Sequence, residues 1–144
     1  LYAPVGYVKI ASRFKPNRLH PITKKRQAHL GVDFELPVGD PIYAPRSGVV
    51  ARHGYNRAAG NFIVIRHSNG AETSYNHMNS IDSRIRSGLQ VKAGERMGQG
   101  GCTGYCTRAH LHFALRLNGR MVDPIKYMKP YPAYMDGTLR KKLN

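Results

Sequence analysis

Residues 61–78 read NFIVIRHSNGAETSYNHM. A β-branched run, an Asn-Gly pair and a second alternating run follow one another without a break. Asn69-Gly70 is the strongest short-range signal for a type I′ turn, because both central positions of that turn need positive φ. The stretch predicts a hairpin with strands at Asn61 to His67 and Glu72 to His77. The same grammar recurs along the chain. PIYAPRSGVVARHG predicts a strand, a turn at Pro45 to Gly48 and a second strand. VKAGERMGQGG predicts another turn-bounded strand, GYVKIASRF an N-terminal strand, and VDPIKYM a short helical turn. No long segment carries the helical period. Short strands spaced about ten residues apart predict an all-β fold, an antiparallel sandwich or barrel-like sheet with short connecting helical turns.

One strand carries more than packing information. In RAHLHFALRL, residues 108–117, alternation puts Leu111, Phe113, Leu115 and Leu117 on one face. His110, His112, Ala114 and Arg116 fall on the other. The apolar face explains itself as core. Two neighbouring imidazoles on the polar face suggest a metal or acid–base site, whose remaining groups must come from elsewhere, since a catalytic zinc takes three protein ligands and leaves one position open. AHLGVDF, residues 28–34, offers His29 and Asp33. Val32 and Phe34 bracket Asp33 and place it opposite a core face, while Gly31 argues against a helical i, i+4 reading of the pair. A carboxylate between two apolar residues needs a partner such as a metal or an arginine. SYNHM offers His77, which by alternation shares a face with Tyr75. His20, His53 and His67 lie in polar or turn contexts and read as surface or hydrogen-bonded histidines. Each candidate is weak singly; their combination on strands with a core face behind them is not.

At 144 residues the chain suits one domain with a real core. The core domain is expected at 28–128, with an N-terminal strand and basic loop over 1–27 packed on it, and a basic C-terminal tail over 129–144. Lys and Arg number 23 against 8 Asp and Glu, a formal net charge of +15, which favours an anionic partner. No recognition helix, zinc finger or RNA-binding motif accompanies the charge, so nucleic acid is set aside as the main partner. A run of about 18 apolar residues is absent, so no transmembrane segment is expected. The first residues, LYAPVGYVKI, lack a leader pattern, as a mature or excised part of a longer precursor would. Cys102 and Cys106 would close a small disulfide loop in an oxidising compartment, or stand as free thiols or half a zinc site in a reducing one. The disulfide is favoured, because the histidines find better partners elsewhere.

The order H-x3-D, then Y-x-H-M, then H-L-H-F resembles the lysostaphin-type, or LytM-domain, zinc metallopeptidases. HLGVDF, PVGDPIYAPRSGVV, GNFIVIRH, VKAGERMGQGG and HLHFALRLNGRMVDPIKYM extend the similarity over residues 28–128 almost without gaps. GYVKIASRFKPNRLHPITKKRQAHLGVDF looks like the branch found in Gram-negative envelope endopeptidases, which cut peptide cross-links in peptidoglycan. The resemblance implies a LytM fold and Zn2+ held by His29, Asp33 and His112. It implies that His110 and His77 are the two non-ligand histidines at the reacting water, with His110 as general base and His77 as stabiliser or orienting partner. Two departures stand out. Many relatives read HLHFE where this chain has Ala114, and the loop before H-x-H carries Cys102, Tyr105 and Cys106.

The resemblance further implies a zinc endopeptidase of the periplasm or cell exterior that hydrolyses peptidoglycan cross-links, with D-alanyl–diaminopimelate as the expected bond. Its partners would be peptidoglycan and anionic wall polymers or lipopolysaccharide, and it is expected to act as a monomer. The alternatives are a LytM-type module that regulates another wall hydrolase, a secreted antibacterial wall hydrolase, and a basic binding module whose histidines are structural.

Overall fold

The structure, a computed structural model, describes residues 1–19 and 26–129. It is built from antiparallel strands in one large sheet and a small two-stranded ribbon. In chain order the strands are β1 Ile10–Ser12, β2 Lys15–Leu19, β3 Arg26–His29, β4 Val32–Glu35, β5 Pro41–Tyr43, β6 Gly48–Asn56, β7 Gly60–Arg66, β8 Ala71–Ile81, β9 Gln90–Val91, β10 Arg96–Gly100, β11 His110–Leu117 and β12 Arg120–Val122. The large sheet runs β1-β4-β11-β8-β7-β6-β9, with β12 added to β11, while β10 pairs with both β5 and β8. β2 and β3 form the separate ribbon. The one short helical turn expected from VDPIKYM is a 3₁₀ turn, Pro124–Tyr127, capped by the Asp123 side chain. Among the described residues no helix is long and apolar enough to cross a membrane.

The Asn-Gly hairpin forms where the sequence places it. Asn69 and Gly70 take φ of 61° and 71°, and β7 and β8 leave the turn in register, with Arg66 opposite Glu72. Alternation then fills one face of the sheet. Ile63, Ile65, Tyr75, Leu111, Phe113, Leu115, Val32 and Phe34 are buried there, with Phe34 and Tyr75 both stacked at an angle on Phe113. Ala3, Val5 and Val8, from the first residues of the chain, are in the same core. Phe113→Ala should therefore destabilise the metal-free protein by about 3–5 kcal/mol in urea unfolding.

One polar chain crosses this core. The Tyr75 hydroxyl donates to Thr73 Oγ1, whose own hydrogen serves His67 Nε2 at 2.8 Å; His67 Nδ1 in turn donates to the Ser47 carbonyl at 2.9 Å. Every polar atom of the chain is thus partnered, as burial requires. Burial lowers the His67 pKa, Arg46 adds to the effect, and the Ser47 carbonyl only partly opposes it. Burial likewise pushes the Tyr75 hydroxyl far up. Folding therefore holds His67 neutral, whereas the unfolded chain takes its proton near pH 6.5. Below that pH the unfolded state binds more protons, so stability falls as pH drops toward the depressed folded value. His67→Gln should flatten the fall in urea-measured stability of the metal-free protein between pH 7 and that value, relative to the unsubstituted chain.

Candidate active site

Asp33 and His112 are cross-strand partners in the β4–β11 ladder. Their neighbours Val32, Phe34, Leu111 and Phe113 are all buried, so both polar side chains project from the opposite face. There His112 Nδ1 lies 2.8 Å from Asp33 Oδ1. His29 ends β3, and its Nε2 lies 3.2 Å from Asp33 Oδ2. Its Nδ1 is 2.8 Å from the Arg13 carbonyl. A carbonyl only accepts, so Nδ1 carries the hydrogen and, in the neutral ring, Nε2 presents its lone pair to Asp33. One potential ligand atom from each of His29, Asp33 and His112 lies within 4.8 Å of the others. Ligands of a tetrahedral zinc with bonds of ~2.0–2.2 Å stand about 3.3 Å apart. The observed separations and the donor set of two imidazoles and one carboxylate fit such an ion.

Gly31, between β3 and β4, makes this approach possible. A Cβ there would stand 2.7 Å from the Phe113 carbonyl oxygen and 2.8 Å from His112 Cε1 and Nε2. The His112 ring occupies the space a side chain would need.

His110 and His77 flank this group. Their ring centroids are 4.8 Å apart, and His77 is 6.4 Å from His112. His110 Nδ1 is 2.7 Å from the Arg108 carbonyl, and its Nε2 is 3.9 Å from Asp33 Oδ1. His77 Nδ1 is 2.7 Å from the Thr103 carbonyl. Both rings therefore donate through Nδ1 to backbone and leave Nε2 as the free end. Four of the five side chains, His29, Asp33, His110 and His112, are 15%, 20%, 18% and 21% exposed, so the site is open to a substrate.

Simple alternation fails at His77. It would put His77 on the same face as Tyr75, but Tyr75 is in the core and His77 is with His110 and His112 on the other side. The cause is a β-bulge. Asn61 pairs with Met78 and Ile63 with Tyr75, so Asn76 and His77 together stand opposite Phe62. His77 takes φ of 63°, a left-handed conformation uncommon for a residue with a side chain. Its backbone N–H donates to the Ala59 carbonyl at 2.7 Å, which anchors the turn.

Burial opposes the charge on Asp33, but the hydrogen bond from His112 and the surrounding imidazoles outweigh it and hold the carboxyl below its ordinary value. Burial lowers the His77 pKa, and His110 and His112 add to this against the Thr103 carbonyl and Asp33.

All five residues singled out in the sequence thus come together. His53 is exposed and His67 is tied into the core network, both away from this cluster; His20 lies outside the described residues. Cys102 and Cys106 form a disulfide rather than part of a metal site. The sequence reading missed the carbonyls of Arg13, Thr103 and Arg108, which orient three imidazoles. Backbone oxygens carry no residue-type signal, so nothing in the sequence marks them. Gly31 was legible as a helix breaker but not as the seat of a ring. Gly31→Ala should displace His112 and weaken metal binding about 10–100-fold in a chelator-competition titration, the cost typical of a lost supporting contact.

Residues 27–124 match the family described as Peptidase family M23. Peptidoglycan DD-endopeptidase ShyC of Vibrio cholerae is 37% identical over 98% of this chain, which spans 32% of that protein's length. A zinc-containing peptidase from Vibrio cholerae superposes with a TM-score of 0.79 at 37% identity, over 84% of this chain and 37% of that one. The catalytic domain of lysostaphin from Staphylococcus simulans superposes at 0.70 with 30% identity, over 83% of this chain and 91% of that one. The antiparallel sheet, the His/Asp cluster on its polar face and these matches together place the chain in peptidase family M23.

Proposed function

We propose that this chain is a zinc-dependent endopeptidase that hydrolyses peptide cross-links of peptidoglycan. The observation that carries the reading is the cluster of His29, Asp33 and His112 with the free Nε2 ends of His110 and His77 beside it. In this reading His29, Asp33 and His112 would hold the zinc. When bound there, zinc would supply Lewis acidity, lowering the pKa of a water toward ~7 and polarising the scissile carbonyl.

The protein's own groups supply positioning and proton transfer. His110, with Nδ1 committed to the Arg108 carbonyl, takes the water's proton at Nε2 and returns it to the leaving amine. His77 is kept neutral, so its Nε2 accepts from the water and aims it rather than donating to an oxyanion. The Thr103 and Arg108 carbonyls hold both rings in the tautomer this needs.

Charge and location fit the substrate. Peptide stems of peptidoglycan carry free carboxylates, and the net charge of +15 would attract them and neighbouring anionic wall polymers or lipopolysaccharide. Two residues along β11 from His112, Ala114 lines a small cavity of about 70 Å³ together with Arg52, Arg116 and Glu72. A Cys102–Cys106 disulfide suits an oxidising compartment such as the periplasm or the cell exterior. The relatives named DD-endopeptidases support the D-alanyl–diaminopimelate bond as the one cut.

The test is incubation of the purified chain with intact peptidoglycan, with and without a chelator, and mass spectrometry of the products. Chelator-sensitive conversion of cross-linked dimers to monomers is expected; no cleavage by the zinc-loaded protein on any wall type would overturn the reading. In the same assay Asp33→Ala and His112→Ala should lose zinc and activity together. His110→Ala should keep zinc and lose roughly 10²–10⁴-fold in turnover.

A further inference from the structure

The loop between β10 and β11 is tied by two kinds of bond. The Cys102–Cys106 disulfide closes a ring with three residues between its cysteines, Thr103, Gly104 and Tyr105. From inside the ring the Thr103 carbonyl accepts from His77 Nδ1 at 2.7 Å. Two residues after the ring the Arg108 carbonyl accepts from His110 Nδ1 at 2.7 Å, and Cys106 Sγ lies 3.6 Å from the same nitrogen. Both imidazoles that are not candidate ligands are thus oriented from one loop, His77 from inside the disulfide ring and His110 from two residues beyond it. The three candidate ligands are not: His29 leans on Arg13, and Asp33 and His112 on each other across the ladder.

The ring is also seated on the sheet. Thr103 Oγ1 donates to the Met78 carbonyl at 2.6 Å and accepts from the Asn61 N–H at 3.0 Å. The Tyr105 N–H donates to the Ala58 carbonyl at 3.1 Å. Gly104 takes φ of 75° and leaves no room for a Cβ, which would fall 2.3 Å from the Gly60 nitrogen. A segment this close to its support has little freedom while the ring is closed. Opened, residues 101–109 become a loop whose carbonyls are held only by hydrogen bonds at a rim where Tyr105 is 68% exposed.

We infer that the Cys102–Cys106 disulfide is a positioning element for His77 and His110, and that its reduction switches turnover down without releasing the metal. The inference rests on the endopeptidase reading above. Reduction by a dithiol adds two electrons and two protons: the S–S bond breaks, each sulfur becomes a thiol, and the dithiol closes to its cyclic disulfide. The ligand set keeps its own supports throughout. The two rings lose a common frame, and a misplacement of about 1 Å is enough to cost on the order of 10²-fold in rate.

The test uses the zinc-loaded chain in three forms: oxidised, treated with a dithiol such as dithiothreitol, and Cys102→Ser/Cys106→Ser. Peptidoglycan cleavage kinetics, zinc stoichiometry and 15N-histidine spectra are recorded on each. The expected result is a fall in kcat of about 10²-fold in the reduced and substituted forms, with KM little changed and zinc retained. Reoxidation should restore the reduced form alone. The His77 and His110 signals should move from the Nδ1–H tautomer toward the mixture of an unrestrained imidazole. Unchanged kcat and unchanged tautomers after reduction would overturn the inference. So would loss of zinc in parallel with kcat, which would mark the disulfide as a general support of the fold. Should the oxidised chain cleave no peptidoglycan while the two tautomers still respond to reduction, the endopeptidase reading fails and the positioning role stands.

Discussion

The site depends on a single bulge in β8. Up to Asn76 one edge of this strand pairs with β11, with His112 opposite Asn76. From Met78 onward the same edge pairs with β10, with Gly100 opposite Met78. His77 is the residue between, and its left-handed φ of 63° turns the strand there. The exchange of partners separates the start of β11 from the end of β10. That opening is where His110 and His77 meet, bridged by the loop that carries the disulfide. A regular strand would have paired with one neighbour throughout and kept His77 in the core beside Tyr75. Backbone strain at a working position is acceptable because its surroundings overdetermine it: Ala59 holds the His77 N–H and Thr103 its ring.

Around this opening, imidazoles are aimed by backbone carbonyls. Arg13, Thr103 and Arg108 each accept from an Nδ1 and turn an Nε2 inward. The carbonyls come from two regions: the stretch between β1 and β2, and the β10–β11 loop, which supplies Thr103 inside the disulfide ring and Arg108 just before β11. The N-terminal segment is therefore more than a cover over the core. It contributes Ala3, Val5 and Val8 to packing and the Arg13 carbonyl to the orientation of His29. Carbonyls suit this task because they accept without titrating. The carboxylate of Asp33 lies among these imidazoles and is favoured in its ionised form by His112, His29 and His110.

Much of the fold was legible. The Asn69-Gly70 turn, the alternation of Leu111, Phe113 and Leu115, and the 3₁₀ turn at Pro124–Tyr127 come from local chemistry: positive φ at a tight turn, burial every second residue, and a proline at the start of a short helix. Asp33 and His112 were legible as polar positions opposite a core face, since Val32, Phe34, Leu111 and Phe113 beside them are buried; His29, between the exposed Ala28 and Leu30, was legible only through its H-x3-D spacing. The parity of His77 was not. Nothing in SYNHM announces a bulge, because the extra residue is defined only by the Asn61 and Ile63 registers across the hairpin.

The sequence by itself determined which residue types are available and, His77 excepted, which face the site and core residues of the strands occupy, because side-chain direction along a strand has a period of two and burial selects the apolar set. It also offered the groups of the candidate site, four imidazoles and a carboxylate. Only the tertiary structure decided that Asp33 and His112 would lie opposite one another and that one loop would orient both His77 and His110. Those outcomes depend on strand register, a bulge and backbone carbonyls far apart in the chain. Contacts of that kind are set by the packing of the whole sheet and leave no mark on the residues that make them.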